Sequence, residues 1–175
     1  MDLHFLKLVT EAIDIRSFSN LWFWIALAAL WSTASHWVVG VPFDLVRRAA
    51  RGDAIALRDM HALADIQSRR ILFIAQEAGL VTTALSCFAL TMLSLLGLVY
   101  GVEFAQALLS LFLPMAIVGW MTLRAARRVA GLDAEGVGNL LWRTRRWIQA
   151  VGIVAIFLTS MWGMWVNLNA NVLGF

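Results

Sequence analysis

Residues 104–166 read FAQALLSLFLPMAIVGWMTL, then RAARRVAGLDAEGVGNLLWRTRRW, then IQAVGIVAIFLTSMWGMWV. The first block holds 20 residues without Asp, Glu, Lys or Arg, and the last holds 19. Between them stand six arginines: Arg124, Arg127, Arg128, Arg143, Arg145 and Arg146. About 20 residues at 1.5 Å rise cross a hydrocarbon core of about 30 Å. Two apolar blocks of that length, split by a basic one, read as two membrane helices joined by a loop that stays in water. Strands do not fit, because barrel strands run to about 10 residues and alternate apolar with polar.

Two further apolar runs lie upstream. Leu21–Val41 spans 21 residues free of charge, and Ile71–Val99 spans 29 with Gln76 and Glu77 inside it. The second run is too long for one crossing, at roughly 43 Å as a helix. It is expected to begin in water near Ile66–Arg70 and to enter hydrocarbon around Ala78. The composition agrees with a lipid solvent: 61% of residues are hydrophobic and 14% charged, where soluble domains carry about 25% charged. Mean hydropathy is +0.77. The sequence therefore predicts a single all-α membrane domain over 1–175, a four-helix transmembrane bundle. The expected spans are 21–41, 78–99, 104–123 and 148–167.

Orientation follows from the basic residues. Of 14 Lys and Arg, 12 fall in two arms, 43–70 and 124–147. The first arm carries Arg47, Arg48, Arg51, Arg58, Arg69 and Arg70. Basic loops resist translocation, so both arms are expected in the cytoplasm and both termini outside. In a bacterium that is the inner membrane with both ends periplasmic. Trp22 and Trp24 at one edge, Trp162 and Trp165 beside them, and Trp142 and Trp147 at the other edge fit headgroup anchors. Residues 1–19 lack a basic leader and an apolar core, so no cleaved signal is expected. Phe5, Leu6, Val9, Ala12 and Ile13 share one side of a helix there, which predicts an interfacial amphipathic helix. Ser17, Ser19 and Asn20 can cap the helix that follows.

Between helices already in lipid, close backbone approach supplies the attraction, so small residues should mark contacts. Candidate stripes are Ala29, Thr33, His36 and Gly40; Gly79, Thr82, Thr83 and Ser86; and Gly152, Ala155, Thr159 and Gly163. Gly97 and Gly101 form a GxxxG pair. Pro114 is expected to kink its helix. Gly131, Gly136 and Gly138 mark a turn in the second arm. In the first arm Ala56, Met60, Leu63 and Ala64 recur at helical spacing, as in a short helical hairpin.

Intramembrane polar residues are the places to look for chemistry. His36 and Glu77 lie at similar expected depth, with Ser32, Ser35, Gln76 and Gln149 nearby. Paired, they suit a proton-linked transporter or channel. Unpaired, they are a packing histidine and a headgroup-level glutamate. Glu103 and Gln106 suit a partner or cation, or a helix start favoured by its dipole. Arg47, Arg48, Arg51, Arg124, Arg127, Arg128, Arg143, Arg145 and Arg146 suit anionic lipid headgroups or a protein partner. No basic helix with interleaved aromatics suggests nucleic acid. One cysteine, Cys87, allows no intramolecular disulfide, and no Cys/His spacing suggests zinc. No haem ligand pair, phosphate loop or nucleophile–base set is present. No cofactor or catalytic residue is therefore expected.

Four strings carry a resemblance: Arg16-Ser-Phe-Ser-Asn-Leu-Trp-Phe-Trp-Ile, Ser35-His-Trp-Val-Val-Gly-Val-Pro-Phe-Asp44, Tyr100-Gly-Val-Glu-Phe-Ala-Gln-Ala and Met161-Trp-Gly-Met. Over nearly the whole chain the sequence resembles small alphaproteobacterial inner-membrane proteins often labelled component of the SufBCD complex. That resemblance implies an accessory role beside iron–sulfur assembly machinery and brings no catalytic motif with it.

Overall fold

The computed structural model describes Phe18 and residues 21–172, with side chains through Leu168. Apart from Phe18, the expected interfacial helix over 1–19 lies outside the described residues. Lys7, Arg16 and the capping residues Ser17, Ser19 and Asn20 lie outside them too.

Among the described residues, six α-helices and one two-stranded ribbon follow in order. Helix α1 covers Leu21–His36. Strand β1 (Trp37–Val38) turns back onto β2 (Val41–Pro42), pairing Trp37 with Pro42 and Val38 with Val41. Helices α2 (Phe43–Ala49) and α3 (Ala54–Glu77) make a helical hairpin. Helix α4 (Gly79–Ser94) runs into a π-helical turn, Leu95–Val99. Helices α5 (Glu103–Val129) and α6 (Ala134–Val172) complete the chain.

Three of these are long and apolar enough to cross a membrane: Gly79–Val99, Glu103–Val129 and Ala134–Leu168. The apolar run Leu21–Val41 is not one helix. It stops at His36 after 16 residues, about 24 Å of rise. The cause is the turn Val39-Gly40, where both φ angles are positive, 54° and 73°. Two such residues in succession suit a tight hairpin and not a helix. Gly40 also lies close to α3, since a Cβ there would sit 3.1 Å from the Gln67 side chain. Val39 is a β-branched residue in a region that disfavours it. Its complete burial, along with Val38 and Val41, holds it there.

The second apolar run also divides. Ala78 departs from helical geometry (φ −114°, ψ 7°), so Ile71–Glu77 belongs to α3. Asp53 starts α3, accepting from the N–H groups of Ile55 and Ala56 at 3.1 and 3.0 Å. Ala56, Met60, Ala64 and Ser68 form its buried stripe at a strict four-residue interval, one face of a helix. Asp133 caps α6 through the Gly136 N–H. Gly136 and Gly138 thus lie inside α6, and the turn is carried by Gly131 and its neighbours. Gly138 leaves room for the Met60 methyl. Helix α5 continues through a buried Pro114.

The core lies at the arginine end. Val38, Val41, Phe43, Val46, Met60, Ala126, Val129, Val137, Leu141 and Ile148 are all buried together. At the other end, α5 and α6 are held by specific close contacts. Gly97 meets α5 so closely that a Cβ would sit 3.1 Å from the Gln106 backbone N. Gly152 and Gly163 make room for Trp31 and Phe18. The stripe Gly152, Ala155, Thr159 and Gly163 is buried along its length. The other two stripes are not. Ala29, Thr33 and His36 are exposed, and α1 buries Leu27 and Trp31 instead. Thr82, Thr83 and Ser86 are exposed on α4, which buries no residue.

Candidate functional site

The two arginine arms come together in space. Helix α3 packs on α5 and α6, and α2 packs on α3 and α6, so twelve arginines decorate one folded body. Eleven are exposed and Arg145 is half-buried. Among the described residues, two of the twelve form ion pairs. Arg48 Nη2 lies 3.0 Å from Asp53, and Arg69 Nη2 lies 3.1 Å from Asp65. Arg47, Arg51, Arg58, Arg70, Arg124, Arg127, Arg128, Arg143, Arg145 and Arg146 have no carboxylate partner among the described residues.

Aromatic rings seat two of these cations. Arg145 Cζ lies 3.6 Å from the centre of the Phe43 ring, and Phe43 meets Trp142 edge-on at 4.6 Å. Arg124 Cζ lies 5.3 Å from the Trp120 ring. A guanidinium over an aromatic face is attracted by the ring quadrupole. These contacts fix position without neutralising charge. The Nε of Arg145 is buried with no acceptor among the described residues. Asp53 accepts hydrogen bonds that favour its ionised form. The Ala56 N–H, then Arg48, hold its carboxyl below the usual value near 3.8.

His36 and Glu77 are not joined. His36 Nε2 faces Asp44 at 4.0 Å, and both side chains are more than half exposed. Glu77 is the exposed last residue of α3, one position before the break at Ala78. Ser32, Gln76 and Gln149 are exposed, and Ser35 is half-buried. The structure brings none of these four into a hydrogen bond with His36 or Glu77 among the described residues. Depth along the sequence put the six side by side. His36 instead ends α1 and Glu77 ends α3.

At the end opposite the arginines is a polar tie that sequence reading had only as single residues. Glu103 Oε1 accepts from the Phe18 N–H at 2.8 Å, and Trp24 Nε1 donates to Phe18 O at 3.0 Å. Gln106 Nε2 donates to Gly97 O at 2.8 Å, and Trp162 Nε1 donates to Gln106 Oε1 at 3.0 Å. Glu103 is the first residue of α5 and the acidic group of its first turn, where the helix dipole favours a carboxylate. These groups satisfy one another, as fastenings between elements do.

An open groove of about 650 Å³ runs between α5 and α6, walled by Leu109, Leu113, Ile117, Val151, Val154 and Leu158, with Trp147 and Trp162 at its two ends. Cys87 is exposed on α4, so the lone thiol is not packed inside the protein. No cluster of three or more His, Cys, Asp or Glu able to hold a metal occurs among the described residues. No family model, curated protein or solved structure matches this chain.

Proposed function

We propose that this chain is a non-enzymatic accessory protein of the bacterial inner membrane. It crosses four times with both ends periplasmic, and it presents a folded arginine platform to an acidic protein partner in the cytoplasm. The observation that carries this reading is ten arginines on a buried core, without carboxylate partners among the described residues. Keeping a loop in the cytoplasm requires only that it be basic. It does not require Phe43, Met60, Val137 and Leu141 to pack beneath the charges. A rigid body with uncompensated positive charge is what steers and orients an acidic partner. The segment that begins with helix α1 supplies the fourth crossing, from Leu21 onward. The family resemblance points to the iron–sulfur assembly machinery as the partner. The single Cys87, on a lipid-facing helix, suits an accessory and not a cluster scaffold.

Two measurements test it. A reporter enzyme fused after Phe175 should be active only in the periplasm, and cytosolic activity would overturn the orientation. Gentle extraction at native expression should recover the assembly machinery with the wild-type chain. Recovery should be lost on combining Arg51→Glu, Arg127→Glu and Arg128→Glu. A chain that reproducibly purifies alone ends the docking role.

A further inference from the structure

We infer that the groove between α5 and α6 holds one acyl chain of an anionic phospholipid from the cytoplasmic leaflet, with its phosphate against Arg124, Arg143 and Arg146. This rests on the orientation proposed above and adds a defined ligand site to it.

The walls set the occupant's chemistry. The groove is lined almost wholly by aliphatic and aromatic side chains. Its polar groups at the far end are already engaged: Gln106 with Gly97 and Trp162, Ser110 with the Ala107 carbonyl. The remaining polar lining residue, Thr159, is 3% exposed, so the surface offered to an occupant along this length is apolar. From Trp147 to Trp162 the groove extends about 22 Å along α6. One leaflet is about 15 Å deep, so an acyl chain entering beside Trp147 fits within it.

The charges set the other half of the occupant. Trp147 is 60% exposed, placed as headgroup-level indoles are. Arg143 stands one turn before Trp147 on α6, and Arg146 one turn before Ala150, and both Trp147 and Ala150 line the groove. Residues four apart share a helix face. On α5, Arg124 stands two turns beyond the groove residue Ile117. The hydrogen bond from Trp162 to Gln106 sets the register of the antiparallel pair. Counting equal rises from it along both helices puts Arg124 level with the turn from Arg143 to Arg146. By that count three cations, without carboxylate partners among the described residues, stand beyond the Trp147 end of the apolar groove. Each basic residue near an anionic surface strengthens binding about fivefold. A zwitterionic lipid of the same chains would fill the groove without that gain.

The full chain, purified in mild detergent, is titrated with phosphatidylglycerol or phosphatidylcholine of matched chains, and retained lipid is counted by native mass spectrometry. Phosphatidylglycerol should be retained at least tenfold better. Arg124→Gln, Arg143→Gln and Arg146→Gln should each cut its retention about fivefold and leave phosphatidylcholine unchanged. Ala150→Trp, at an exposed wall position, should abolish retention of both lipids, whereas Leu85→Trp on α4 should abolish neither. Equal retention of the two lipids overturns the site. So does full phosphatidylglycerol retention by Ala150→Trp, which would mean arginines acting alone. Loss of a dimer mass in that variant would make the groove an interface between copies and also overturn it. None of these arms uses Arg51, Arg127 or the partner, so failed docking leaves this result standing.

Discussion

Helix α3, in the arginine arm, and helix α4, immediately after it, invert the usual link between greasiness and burial. Helix α3 carries Arg58, Arg69, Arg70, Asp59 and Asp65, yet it buries Ala56, Met60, Ala64 and Ser68. Helix α4 has no charged residue and buries nothing. Leu80 is 86% exposed on α4, while Met60 is completely covered on α3. The difference is solvent. Where the chain lies in water, apolar side chains leave it by packing on one another, at about 25 cal/mol per Å². Where it lies in hydrocarbon, lipid tails serve as well as a protein core, so packing is left to small residues and hydrogen bonds.

A paired substitution tests that contrast most severely. Met60→Ala should lower stability by about 2–5 kcal/mol, the range for emptying a packed core. Met92→Ala, at an exposed site on α4, should change it by less than about 0.5 kcal/mol. Thermal melts in one detergent read both, and equal losses would break the comparison. Next comes the seam that ties short α1 to long α6. A Cβ on Gly152 would sit 2.9 Å from the Trp31 ring, so Gly152→Ala should cost about 1–3 kcal/mol by overpacking. A neutral result in the same melt would show that the seam gives way. Gly40→Ala meets both a positive φ and the Gln67 side chain. It should cost about 1–2 kcal/mol and speed hydrogen exchange at Val38 and Val41 without touching α4.

The smallest effect belongs to Asp53. Its carboxylate caps α3 from a half-exposed position and titrates below its unfolded value. A depressed folded pKa gives a contribution complete above about pH 4 and lost as pH falls through the folded value. Asp53→Ala should therefore speed exchange in the first turn of α3 at neutral pH and lower Tm by a few degrees. That difference from wild type should close in acid. A difference that persists below the folded value would show that the cap does not act through the charge.

The sequence made the apolar runs legible, because length and absence of charge suffice to mark Gly79–Val99 and the hydrophobic parts of α5 and α6. The stripe on α6 was legible too, since small residues at helical spacing have one use where two helices must touch. The same reasoning misplaced the stripes on α1 and α4. Small residues permit close approach, but a neighbour must be there to approach. His36 and Glu77 illustrate a second limit. Distance counted along a run measures depth only if the run is one straight helix, and both runs break.

Periodicity, apolar length and the crowding of arginine into two segments are properties of the chain read locally, and they were enough to mark a helical protein with helices long and apolar enough to cross a membrane. Folding alone joined the two basic segments into one body over a shared core, turned Leu21–Val41 back on itself at Val39-Gly40, and tied Trp162 to Gln106 at the end of an apolar groove. Those outcomes depend on contacts between residues distant in the chain, whose free energy no single segment carries.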